Sequence, residues 1–243
     1  MINIRTFVFG DIHGCYEQLK SLIKFIVSDK NIDLKEDKFI FLGDYVDRGP
    51  DSYKVIQYIK GLQEKYGDNQ VITLMGNHEK MMCNSIETGF HHLWYKNGGN
   101  MTVKSFEENN STLESEYDWV KNLPLFYEDE NFIYVHAGVR GNKKIIDQFE
   151  DDLLWIRNDF IFNREKYYKQ IIFGHTPSIL FYEVKPFMTL GGNIGIDTGV
   201  VFGGRLTCLI IENENISEII QVPTASDAYI RHKDVKNTIV KIE

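Results

Sequence analysis

TFVFGDIHG, residues 6–14, is a short apolar run that stops at a glycine and continues directly into Asp11 and His13. Five later stretches have the same form: KFIFLGDYVDRG (38–49), VITLMGNHE (71–79), FIYVHAG (132–138), QIIFGH (170–175) and NIGIDTG (193–199). The runs are rich in Val, Ile and Phe and are about strand length, with glycine just beyond each. In sheet proteins, ligands sit beyond strand ends, where loops bring distant residues together. Six such ends carrying Asp, His and Asn point to one metal-centred site assembled from the whole chain.

Between these runs the first half reads as alternating strand and helix. Tyr16, Leu19, Leu22, Ile23 and Ile26 recur at helical spacing after the first run. Pro50 and Asp51 offer a helix start, Val55, Ile56, Ile59 and Leu62 continue its apolar face, and Gly67 closes it. Such β-α-β units imply right-handed crossovers and some parallel pairing. The middle, 80–125, reads as helix and loop. One helix begins at Met81 and Met82, NGGN (97–100) breaks the next segment, and a short helix covers 112–122. The last half turns to β structure at 131–135, 170–173, 179–184, 193–197, 205–212 and 216–222. This order predicts a mixed α/β sandwich with helices outside.

At 243 residues, with 43% hydrophobic and 26% charged, the chain suits one soluble domain over 1–243. The tail after about residue 223 is polar and expected to be loosely held. No apolar stretch nears the roughly 20 residues of a membrane helix. The N-terminus shows no signal peptide, and three scattered cysteines suggest a reducing compartment, so a cytoplasmic location is expected. A net charge of −8 opposes nucleic-acid binding, yet metals and a few arginines can still make a local site for an anion.

Asp11 and His13, one residue apart, would point the same way from extended backbone and reach one ion. Asp44, Asn77, His136 and His175 follow later runs. This mixture of carboxylate, amide oxygen and imidazole suits Mn, Fe or Zn and suits Ca poorly. Six ligands exceed one tetrahedral zinc, whereas two ions sharing a carboxylate would use them all.

GDIHG, GDYVDRG and GNHE, with HAG and GH downstream, resemble the metal-dependent phosphoprotein phosphatase family, and its short bacterial and phage-type members most of all. The resemblance covers roughly residues 5–210 and implies the calcineurin-like metallophosphoesterase fold. It implies that Asp11 and His13 bind one ion, that Asp44 bridges, and that Asn77, His136 and His175 bind a second ion. His78 would be the general acid, paired with Asp47. Arg48 would grip the phosphate, as would Arg157 in LLWIRNDF. The implied reaction is attack of a metal-bridging hydroxide on the phosphorus of a phosphomonoester, with two divalent ions, Mn foremost. Phosphoserine and phosphothreonine in proteins are the expected substrates, small phosphate esters being the other class; the oligomeric state is left open.

Symmetrical diadenosine tetraphosphate hydrolysis is the nearest rival, because RGPDS (48–52) fits either branch. Glu79 in GNHE and GHTP (174–177) look more like the protein phosphatases. Phosphodiesterases and nucleases of the wider group usually show GHxH, and Pro177 stands where that last histidine would be. An inactive binding module would need a missing ligand, and none is missing. Asp197 could stand behind a metal-bound histidine. His91 and His92, beside Trp94 and Tyr95, read as a partly exposed aromatic cap, and Cys15 reads as an inert small residue.

Overall fold

The computed structural model describes residues 4–30, 32, 36–141, 143–225 and 229–242. Its strands are β1 (Arg5–Phe9), β2 (Lys38–Phe41), β3 (Val71–Thr73), β4 (Phe126–Glu128), β5 (Phe132–Val135), β6 (Gln170–Phe173), β7 (Phe187–Met188), β8 (Ile194–Gly195), β9 (Arg205–Glu212), β10 (Asn215–Pro223), β11 (Ile230–His232) and β12 (Val240–Lys241). The helices are α1 (Tyr16–Lys30), α2 (Ser52–Tyr66), α3 (Asn77–Thr88), α4 (His92–Lys96), α5 (Gly99–Glu108), α6 (Glu114–Lys121), α7 (Glu150–Trp155), α8 (Asn158–Ile161) and α9 (Val235–Thr238).

Alternation along the strands decides the layers. In β1, Phe7 and Phe9 pack with the helices while Val8 faces the other way; in β2, Phe39 and Phe41 do the same opposite Ile40. The outward phenylalanines pack on α1 and α2, and the Phe9 and Phe41 rings stack at 4.6 Å. The inward branched residues, Val8, Ile40, Ile72 and Leu209, meet Tyr134, Ile172 and Ile194 of the second sheet. A third apolar layer packs Ile133, Val135, Ile171 and Phe173 against Leu153, Phe160 and Ile161 of α7 and α8. The result is a mixed β-sandwich flanked by helices, the fold class expected from the sequence.

The first sheet runs β11-β10-β9-β1-β2-β3 and the second β12-β7-β8-β6-β5-β4. Strands β1, β2 and β3 are parallel, as are β5, β6 and β8. Their C-terminal ends therefore share an edge within each sheet, and the turns beyond those edges carry the Asp, His and Asn residues.

Two elements differ from the sequence expectation. Residues 178–181 form a 3-10 turn, not the start of a strand over 179–184. Pro177 precedes it, Ser178 N–H is drawn to the Asp197 carbonyl at 2.9 Å, and Leu180 N–H turns back to Pro177 at 3.0 Å. Helix α3 starts at Asn77, ahead of Met81, because Glu79 reaches back to accept the Gly76 N–H at 3.0 Å. In the described part of the tail, β11 adds an edge to the first sheet and β12 an edge to the second.

Candidate active site

Asp11 and His13 lie in the turn after β1, and Asp44, Asp47 and Arg48 in the turn after β2. Asn77 and His78 open α3, His136 follows β5, His175 follows β6, and Arg157 stands between α7 and α8. The backbone after β1 is not extended as expected: His13 has φ 46°, and the Ile12 and His13 amides both donate to the Asp44 carbonyl, at 3.0 and 2.8 Å. That bond pair, and not strand pleating, brings the first two turns together.

Asp44 is the centre. Its carboxylate lies 3.4 Å from His13 Nε2, 3.4 Å from His136 Nε2 and 3.9 Å from His78 Nε2, and it accepts the His78 amide at 3.1 Å. Two buried groups that could hold a metal ion share it: His13, Asp44 and His78, and Asp44, His136 and His175. Asn77 Oδ1 joins the second, 2.8 Å from His136 Nε2 and 2.9 Å from His175 Nδ1. Asp11 stands beside the second group, its carboxylate accepting the His175 amide at 3.0 and 3.1 Å.

The ring orientations suit a cation. His13 Nδ1 and His136 Nδ1 face the carbonyls of Val46 and Leu42 at 2.9 Å, which assigns each proton to Nδ1 and leaves each Nε2 lone pair facing inward. The His136 lone pair thus meets the Asn77 oxygen, and His175 Nε2 is buried without a hydrogen-bond partner among the described residues. Burial holds the His13 and His175 imidazoles well below their ordinary pKa and lowers that of His136, so the rings are in the neutral form that binds metal. Burial, then the charges of Asp197 and Asp44, pushes the Asp11 carboxyl well above its usual range; burial also raises Asp197, to about 6. Three buried carboxylates crowded together call for positive charge, and their mixed donor set fits borderline divalent ions.

His78 is held from its other nitrogen. Nδ1 lies 2.6 Å from Asp47 Oδ2, and both side chains are buried. Arg48 Nη1 is 2.6 Å from His13 Nε2, and its guanidinium lies 5.3 Å over the half-exposed ring of Phe202. Arg157 Nη1 donates to the His175 carbonyl at 2.8 Å and to Thr176 Oγ1 at 3.1 Å, so it is turned to the site; Asp152 pairs with Arg140 instead. Asp197 accepts the Gly199 amide at 2.9 Å, and among the described residues it makes no hydrogen bond to a histidine. His91 bonds Ser85 Oγ and stacks on Tyr95 at 5.4 Å, in keeping with a surface cap. Trp94 departs from that cap: it is buried, and its indole N–H reaches Asp47.

The fold and its site define a hydrolase of the metallophosphoesterase class. The calcineurin-like phosphoesterase family matches residues 4–220, and the chain belongs to that family. It is 28% identical to the asymmetrical bis(5'-nucleosyl)-tetraphosphatase PrpE of Anoxybacillus flavithermus, over 91% of this chain and 97% of that one. It is 27% identical to serine/threonine-protein phosphatase 1 of Salmonella typhimurium, over 85% and 92%. A solved chain provisionally assigned as a diadenosine tetraphosphatase shares the fold with TM-score 0.65 and 21% identity, over 91% and 94%. The tetraphosphatase relative is named for asymmetrical cleavage, whereas the rival activity expected from the sequence is symmetrical. Among the described residues no helix is long and apolar enough to cross a membrane.

Proposed function

We propose that the protein is a phosphomonoesterase that uses two divalent ions and acts on phosphoserine and phosphothreonine in proteins. Asp11, His13 and Asp44 would hold one ion, and Asp44, Asn77, His136 and His175 the other. Bound there, the ions, manganese foremost and iron or zinc as alternatives, would activate water and supply charge for the phosphoryl oxygens. Arg48 and Arg157 would contact the non-bridging oxygens, a task suited to the planar guanidinium. Asp47 holds the imidazole of His78 by Nδ1, leaving Nε2 to deliver a proton to the departing oxygen.

The observation that carries this reading is the buried His78–Asp47 pair, 2.6 Å apart beside both ligand groups. A serine or threonine alkoxide is a poor leaving group and gains much from a proton, whereas a nucleotide leaves as a stable anion. A built-in acid therefore favours alkyl esters.

A second reading, asymmetrical hydrolysis of dinucleoside tetraphosphates, is favoured by the nearly full-length match to the tetraphosphatase relative. A side-by-side assay of Mn-loaded protein on a phosphoserine peptide and on diadenosine tetraphosphate decides between them. The first reading expects the larger kcat/KM on the peptide. A larger value on the dinucleotide, with ATP and AMP as products, would replace it by the second.

A further inference from the structure

The segment from Trp94 to Thr102 folds back onto the turn that follows β2, although 47 residues separate Asp47 from Trp94 and 55 separate it from Thr102. The Trp94 indole N–H spans the Asp47 carboxylate, 3.0 Å from Oδ1 and 2.8 Å from Oδ2. Thr102 Oγ1 donates to Oδ1 at 2.6 Å and accepts the Asp47 amide at 2.9 Å. Ser52 Oγ lies 3.1 Å from both that amide and Thr102 Oγ1. A carboxylate has about four lone-pair sites, and here three side chains share them: Thr102 on Oδ1, His78 on Oδ2, and Trp94 across the two.

The next residue is held by the same segment. Arg48 N–H donates to the Gly98 carbonyl at 3.2 Å. Asp47 and Arg48 both have left-handed backbone, φ 73° and 68°, a conformation uncommon for non-glycine residues. The NGG turn makes the approach possible. Gly98 is itself at φ +102°, and a side chain there would come within 2.8 Å of the Arg48 backbone; one at Gly99 would run 2.4 Å into the Trp94 ring.

We propose that residues 94–102 are a clamp on the Asp47–Arg48 pair, with Trp94 and Thr102 as positioning residues for His78. The inference rests on the reading of His78 as the acid. The indole N–H fixes the plane of the Asp47 carboxylate, and the Thr102 hydroxyl fixes its Oδ1 end. The remaining Oδ2 lone pair is thereby aimed at His78 Nδ1, and His78 Nε2 at the departing oxygen. Trp94 also belongs to the apolar core, so a purely structural role is the competing account.

Trp94→Phe removes the N–H and keeps most of the ring; Thr102→Val is isosteric and removes only the hydroxyl. Each is measured with and without His78→Asn, as Mn-loaded protein, on para-nitrophenyl phosphate and on a phosphoserine peptide, with metal content determined on the same samples. The clamp predicts that each single variant loses about 10- to 100-fold in kcat on the peptide and under about 3-fold on para-nitrophenyl phosphate. Metal content stays unchanged, and neither variant adds to the loss caused by His78→Asn. Equal losses on both substrates, or losses that multiply with that of His78→Asn, overturn it. If Trp94→Phe does not fold, Thr102→Val carries the same decision. If His78→Asn itself shows no dependence on the leaving group, the acid reading fails and the clamp with it. If only the clamp variants lack that dependence, the clamp alone fails.

Discussion

The amide of His175 donates to both carboxylate oxygens of Asp11, at 3.1 and 3.0 Å, tying the end of β6 to the end of β1 across 164 residues of sequence. The bond joins the two sheets at the edge where the ligand groups gather. It also places a buried carboxylate beside the second group, where a cation would relieve its repulsion from Asp197 and Asp44.

Metal removal is the first consequence. Chelation followed by dialysis is expected to abolish hydrolysis of para-nitrophenyl phosphate, and Mn to restore it, since the mixed oxygen and nitrogen donors accept borderline ions. Full activity in protein shown by elemental analysis to be metal-free would contradict the two-ion reading.

Glu79 holds the turn that carries Asp44. Its carboxylate accepts the amides of Asp44 at 2.7 Å, Tyr45 at 2.8 Å, Val46 at 3.2 Å and Gly76 at 3.0 Å. Glu79→Gln replaces one acceptor oxygen by a donor facing those amides. The expected cost is about 1–3 kcal/mol in urea denaturation, together with weaker metal binding. Wild-type stability and metal content would mean that the turn holds without it.

Arg48→Ala is expected to raise KM, lower kcat and weaken competitive inhibition by inorganic phosphate in parallel, because all three use the same oxygens. A structural role for Arg48 forecasts a lower Tm with an unchanged phosphate Ki per folded molecule. Measuring Tm and Ki on one preparation separates the two.

The cysteines should be silent. Burial, with a smaller push from Asp51, raises the Cys15 thiol to about 12, and burial with Glu79 raises Cys83 to about 11. Both folded values lie above the ordinary thiol range, so the reactive thiolate is scarce at neutral pH. Iodoacetamide at pH 8 is expected to leave activity intact and to label the native protein far more slowly than protein in urea. Rapid loss of activity would assign a role to a thiol.

The strands that build the site were legible because each is an apolar run stopped by glycine. The helices α1 and α2 were legible from a repeated apolar face and, for α2, from Gly67 at its end. The run 179–184 has strand composition but lies between Pro177 and the Asp197 carbonyl, and that tertiary bond turned it. Strands β7 and β12 are two residues long, too short for any period to show. The ten proposed site residues could be named from short motifs, and the structure brings them to one place. The role of Trp94 could not be read the same way. Its neighbours Phe90 and Leu93 are exposed, so the segment looks like a surface cap, and only folding brings the indole to Asp47.

His78 bears the central claim, because it lies within one ligand group and yet is bonded to Asp47. The direct test is His78→Asn, with kcat measured on para-nitrophenyl phosphate and on a phosphoserine peptide and metal content measured alongside. An acid predicts near-normal metal content and a loss of about 10²- to 10⁴-fold on the peptide, with a clearly smaller loss on para-nitrophenyl phosphate. Equal losses on both substrates, or departure of the metal, would contradict the account and make His78 a ligand or a structural residue.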